Sequence, residues 1–255
     1  MKIERPALKA RAKMIIASSK PSPILVGLVF LALTVVVSLL STRIYGLSFD
    51  QATLERYMNA IYSGNADYAL YYLEQLRPAP SAYLISLALQ LVLTIVSAGF
   101  VLFLLNTIRQ TGACFGNLLD GFGMLGRIIL LNILEYIFIV LWSMLFVIPG
   151  IIASYRYRMA LYLLLDHPEM SAMQCIRDSK RMMKGHKWEL FVMDLSFLGW
   201  QLIAGIPVVG YIVQVWTTPY VGMSYALYYE ALRGAEIDHD AGNGGTWRET
   251  PPWEG

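Results

Sequence analysis

Long apolar runs with few or no charges alternate with short, charge-bearing polar segments along most of this chain. The first run is Ile24–Leu40, after Pro21 and Pro23. The second, Tyr83–Leu105, contains no charge. The third, Ile128–Ile148, holds Asn132 and Glu135. Ile151–Leu165 is the fourth, Trp188–Ile206 the fifth, and the sixth runs from Tyr211 to Tyr229 with Thr217-Thr218-Pro219 as a kink. A helix needs about 17–25 mostly apolar residues to cross the ~30 Å hydrocarbon layer of a bilayer. Within that layer a helix satisfies its own backbone polar groups. The pattern predicts an all-α fold over residues 1–234: a polytopic membrane bundle of six transmembrane helices with short interfacial amphipathic helices. The fourth run covers only about 22 Å at ~1.5 Å per residue. It is therefore expected to stand nearly upright, or to be buried among neighbours.

The polar segments have patterns of their own. Leu8, Ala12 and Ile15 fall at helical spacing, so Ala7–Ser19 reads as a surface helix on anionic lipid. Tyr45–Ala82 reads as an outer segment of two amphipathic helices, Phe49–Tyr62 and Asn65–Leu76, broken at Ser63-Gly64. Tyr57, Tyr62, Tyr68, Tyr71 and Tyr72 suit a membrane interface, and a small solvent cap fits them equally well. Phe115, Leu118, Leu119 and Phe122 make an apolar stripe before the third span. Asp166–Lys187 is the large connector, with a helix from Ser171 that places Met173, Ile176 and Met183 on one side. Pro149-Gly150 and Pro207–Gly210 read as hairpin breaks. Three times an amphipathic segment precedes a pair of apolar runs, which is the pattern of a weak internal repeat. The Gly-, Pro- and charge-rich stretch 235–255 reads as a disordered cytoplasmic tail.

Composition agrees with the membrane reading. Of 255 residues, 56% are apolar and 15% charged, against roughly 25% charged in a soluble domain. The net charge of +2 is too small for a nucleic-acid binder. Its distribution is more informative, because basic residues collect on cytoplasmic loops. With the N-terminus inside, the inner side carries Lys2, Arg5, Lys9, Arg11, Lys13 and Lys20. It also carries Arg109, Arg127, the basic connector, Arg233 and Arg248, whereas the outer side carries only Arg43, Arg56 and Arg77. The expected location is the cell membrane, multi-pass, with both termini cytoplasmic. A cleaved signal peptide is not expected, because no small-residue cleavage site follows the first run.

Ionisable residues at membrane depth are the first candidates for chemistry. Each costs roughly 2.5–3.5 kcal/mol near a span's centre and needs a partner or water. Glu135, Arg156, Arg158 and Asp194 qualify. They read as one intramembrane polar network, either a binding pocket or the ion-pair ties of short helices. Arg156 and Arg158, two residues apart on one helix, point to nearly opposite sides. Gln201 and Gln214 read as interhelical hydrogen bonders. Arg177, Lys180, Arg181, Lys184 and Lys187 on the connector read first as a positive-inside anchor, and otherwise as contacts to anionic lipid of the inner leaflet or to a protein partner, cytoplasmic or in the membrane. Cys114 and Cys175 form no motif and read as reduced thiols. His167, His186 and His239 lack metal spacing. No phosphate loop, nucleophile elbow or HExxH pattern is present, so neither a catalytic residue nor a cofactor is expected.

Several short pieces resemble a known family as a set. They are Phe146-Val-Ile-Pro-Gly-Ile-Ile152, Arg156-Tyr-Arg-Met-Ala160, Leu165-Asp166, Ser179 and Met183-Lys184-Gly185-His186-Lys187. Leu195-Ser-Phe-Leu-Gly-Trp200, Pro219-Tyr220, Leu119-Asp-Gly-Phe122 and, more weakly, Leu8-Lys9 with Ala12-Lys13 complete the set. Together they resemble the uncharacterised bacterial multi-pass membrane family called domain of unknown function nine-seven-five. The resemblance covers most of residues 1–233 and implies a six-helix membrane protein. It brings no activity and no site residue. The expected role is a non-enzymatic accessory, scaffold or regulatory component. The alternative is a transporter, or a transporter subunit, for a small solute, peptide or lipid.

Overall fold

A computed structural model describes residues 4–46, 51–206 and 209–242. Among these, every regular element is helical. In chain order the helices are α1 (Arg5–Ser18), α2 (Pro23–Gly46), α3 (Gln51–Tyr62), α4 (Ala66–Gln75) and α5 (Pro80–Arg109). A short α6 (Asn117–Asp120) runs through a 3₁₀ turn into α7 (Leu125–Leu145). Then come α8 (Val147–Tyr157), α9 (Ala160–Asp166), α10 (Ala172–Met182), α11 (Lys187–Leu195), α12 (Leu198–Ala204) and α13 (Val209–Gly242).

Three stretches are helical, long and apolar enough to cross a membrane: Pro23–Tyr45, Pro80–Arg109 and Asn117–Leu145. They contain the first two apolar runs and the third as far as Leu145, its last residues Val147 and Ile148 opening α8. The other three depart from the sequence expectation. The fourth run is not one helix but two, α8 and α9, parted at Arg158 and Met159. The fifth is divided into α11 and α12 at Ser196 and Phe197. The sixth lies within α13, which passes through Pro219 without a break. Near that proline, the Thr217 hydroxyl donates to the Val213 carbonyl at 3.0 Å. α13 also continues past position 235, while residues 243–255 lie outside the described residues, as do Pro207 and Val208 of the expected turn.

The fold divides into two compact units. The smaller, Ala32–Thr94, contains the α3–α4 hairpin. Gly64 turns it with φ +70°, a conformation that glycine adopts without steric cost. Asn65 then caps α4, its side chain accepting from the Tyr68 N–H at 3.4 Å. Tyr62, Tyr68 and Tyr71 are exposed.

The larger unit, up to Leu31 and from Ile95 on, is built around α13. From Met223 to Tyr229 every α13 residue is buried, the pattern of a helix enclosed on all sides. α1, α10 and α12 pack against it. Close backbone approach sets several crossings. A Cβ on Gly27 of α2 would meet the Pro219 ring at 3.2 Å. One on Gly99 of α5 would meet the Leu118 carbonyl oxygen at 2.4 Å.

α1 differs from the lipid-lying helix expected. Its Ala12 and Ile16 are buried in the protein core, with Leu8 and Ile15 packed against that core. Lys9 donates to the Ser196 hydroxyl and sits 4.2 Å over the Phe197 ring, at the α11–α12 break. Burial, helped by Arg5 and Lys13, lowers its ammonium pKa. The hairpin break also moves. It falls at Phe146, which is extended (φ −161°, ψ 152°), and Pro149 and Gly150 lie in the first turn of α8. There a missing N–H is no loss.

Candidate functional site

The break between α8 and α9 is held open by a side chain from α10. Breaking a helix frees backbone donors and acceptors that need partners when buried. Ser179, itself fully buried, supplies both kinds. Its hydroxyl donates to the Arg156 carbonyl at 2.9 Å and accepts from the Met159 N–H at 3.2 Å. Arg158 therefore sits on a turn rather than mid-helix, and its guanidinium lies 4.9 Å over the Tyr225 ring of α13. The Arg158 side chain remains exposed.

Asp194 of α11 accepts from two tyrosines, Tyr155 of α8 at 2.9 Å and Tyr225 of α13. Tyr225 thus links Arg158 by its ring face to Asp194 by its hydroxyl. Of the expected network, Arg158 and Asp194 come together through this tyrosine, not through a direct ion pair. Arg156 enters only through its backbone carbonyl, because the helix break redirects the chain. Glu135 of α7 senses the Arg158 charge, yet its Oε1 is buried and has no hydrogen-bond partner.

A second polar cluster lies where the ends of α5 and α9 meet α13, and the sequence reading did not single it out. Arg109 donates through both terminal nitrogens to Asp166, with Nη2 at 3.1 Å. Its Nε donates to Glu230 at 2.7 Å. Arg233 lies 3.3 Å from the same Asp166 carboxylate, and the Tyr229 hydroxyl donates to it at 2.8 Å. The Asp166 side chain is only 7% exposed. Burial alone would raise its pKa. The Arg109 hydrogen bonds, the Arg233 charge and the Tyr229 hydroxyl outweigh burial and hold the carboxyl below the usual carboxylate range. Two cations and two anions balance in this cluster. A bidentate arginine fork fixes its geometry as well as its energy.

The two clusters share an organising stripe on α13. Tyr225 and Tyr229 are one helical turn apart and serve Asp194 and Asp166 respectively. Tyr228, beside them, donates to the His186 carbonyl at 3.0 Å. The sequence signal was the Tyr-Ala-Leu-Tyr-Tyr spacing within an otherwise apolar helix. Buried tyrosines are expected to find hydroxyl partners.

The basic connector forms an amphipathic α10 whose buried side includes Ala172, Cys175, Ile176, Ser179 and Met182. Met183 follows them into the core, but Met173 points outward and is 40% exposed, so it leaves the apolar side expected for it. Arg177, Lys180, Arg181 and Lys184 are exposed and Lys187 is half-buried. Burial, with the Asp178 carboxylate adding to it, pushes the Cys175 thiol up to about 11. Gln214 donates to the Ala204 carbonyl of α12 at 3.4 Å. Among the described residues, no group of three or more His, Cys, Asp or Glu side chains is placed to hold a metal ion.

Residues 1–236 match the family described as "Protein of unknown function (DUF975)". No curated protein and no solved structure matches the chain.

Proposed function

We propose, for a chain that belongs to the DUF975 family, a non-enzymatic role as an accessory, scaffold or regulatory component of the cell membrane. In this reading the chain crosses the bilayer six times, with both termini in the cytoplasm. Three crossings are α2, α5 and α7. The α8–α9 pair, the α11–α12 pair and the first half of α13 make the others. Broken helices are tolerated at membrane depth where protein encloses the freed backbone, and Ser179 provides such an enclosure for α8–α9. The topology is supported by Arg109, Asp166 and Arg233. The positive-inside count puts Arg109 and Arg233 on one side, and both meet Asp166.

One observation carries the non-transport reading. Asp194 and Asp166 are each engaged by two or more protein partners, and an ion relay needs such groups free to exchange partners. The competing reading, a transporter for a small anion, is favoured by the unpartnered Glu135 Oε1 and the accessible Arg158 beside it. Reconstituted vesicles separate the two. With a panel of chloride, acetate and inorganic phosphate, the expected result is no protein-dependent uptake. The Arg158→Ala variant should melt lower, having lost an exposed cation–π contact worth about 0.5–1 kcal/mol. Uptake by the wild type that Arg158→Ala abolishes, at unchanged thermal stability, would establish transport instead.

A further inference from the structure

A cavity of about 480 Å³ opens between the C-terminal end of α1 and the loop that follows α5. Arg11 and Lys20 line it, together with Ser18, Ser19, Asn106 and Gln110. No carboxylate is among its lining residues. Among the described residues, neither Arg11 nor Lys20 makes an ion pair. This contrasts with the neighbouring Arg109, which is engaged by two acids. Two unneutralised cations facing one recess make an anion-attracting field.

The loop backbone adds an independent observation. Gln110 has φ +58°, the left-handed conformation that favours glycine at a helix C-terminus. The Thr111 N–H closes the turn onto the Asn106 carbonyl at 3.1 Å. A glutamine here is held in a costlier conformation than glycine, and Gln110 lines the cavity. Asn106 is also prepared to donate, since its Oδ1 already accepts from the Thr111 hydroxyl at 3.1 Å. The recess thus offers a guanidinium fork, an ammonium and two amides. Ile15, Ile108 and Ala113 form an apolar side.

We propose that this cleft is a binding site for a phosphate ester. The phosphate oxygens would take the donors of Arg11, Lys20, Gln110 and Asn106, and a short aliphatic stem would lie on Ile15 and Ile108. A phosphate has enough acceptor oxygens for all four groups, and arginine matches it bidentately. The ester is either a phospholipid headgroup or a soluble phosphorylated metabolite. The site is separate from the exposed basic side of α10 and does not depend on whether the protein transports.

The test uses the full-length protein in neutral detergent. Binding of dihexanoyl phosphatidylglycerol is measured alone and in competition with glycerol 3-phosphate. The double variant Arg11→Gln with Lys20→Gln should bind at least about tenfold more weakly, since two charge-assisted contacts are lost. The variant Arg43→Gln with Arg56→Gln removes the same charge from exposed positions of the smaller unit and should stay within about twofold. Gln110→Gly relieves the backbone, so it should melt higher while binding severalfold more weakly, which rules out misfolding as the cause of lost binding. Competition by glycerol 3-phosphate shows that both probes take the one cleft, and the tighter binder of the two assigns it to a soluble ester or to a headgroup. Lipid binding without competition assigns it to a headgroup. Undiminished affinity in the Arg11 and Lys20 variant, or an equal loss in the Arg43 and Arg56 variant, overturns the proposal.

Discussion

Asp166 shows how one residue can hold several helix ends together. It receives Arg109 from α5 and both Tyr229 and Arg233 from α13. Replacing it with asparagine leaves two arginines facing each other without their shared anion. Loss of one partner from a fully buried pair costs about 3–5 kcal/mol. Here the arginines are 25% and 39% exposed, so solvent screening reduces the expected loss to about 2–3 kcal/mol. The pH dependence follows from the lowered pKa of Asp166. A carboxyl depressed by folding contributes stability that is fully present above its unfolded value of about 4. That contribution is lost as pH falls below this value and through the depressed one. Thermal melting of the detergent-purified protein should therefore drop over that acid range in the wild type. Asp166→Asn should melt lower at neutral pH and lack that part of the acid transition.

At the scale of the element, the break between α8 and α9 decides where Arg158 stands. Ser179→Ala removes the donor to the Arg156 carbonyl and the acceptor for the Met159 N–H, leaving both backbone groups buried. An expected loss of about 1–3 kcal/mol follows, measured as a lower melting temperature. Melting equal to the wild type would mean that the break sustains itself. This element also shows what could be read from sequence. Apolar runs located α2, α5 and α7 to within a few positions, because hydropathy alone decides those helices. The run 151–165 carries Arg156 and Arg158, its break is bridged by a serine from a later helix, and no glycine or proline marks it. Pro149-Gly150 looked like a breaker, yet a proline in a helix's first turn breaks nothing. Arg158 and Asp194 were found by their cost at membrane depth. Arg109 and Arg233 were passed over because a charge at the end of a span is ordinarily a topological anchor in water. The α13 tyrosines were hidden in the same way, since tyrosine near a span's end also suits the interface.

For the whole molecule, the topology proposed above puts the basic ends of the chain in the cytoplasm and the segment 45–82 outside. α5 and α9 run toward Arg109 and Asp166, and α13 passes the same place at Glu230 and Arg233. α1, held by Ala12 and Ile16 in the core, brings the N-terminal charges to the larger unit, which also carries the basic side of α10. Sidedness labelling tests the arrangement most directly. The starting protein is Cys114→Ser, because Cys114 is the exposed native thiol while Cys175 is buried and its raised pKa keeps it protonated. Single cysteines are then placed at the exposed positions Ser63 and Lys184, and intact cells are treated with an impermeant maleimide before and after permeabilisation. With both termini in the cytoplasm, Ser63→Cys should label in intact cells and Lys184→Cys only after permeabilisation. Labelling of both from the same side, or in the reverse order, would contradict that topology.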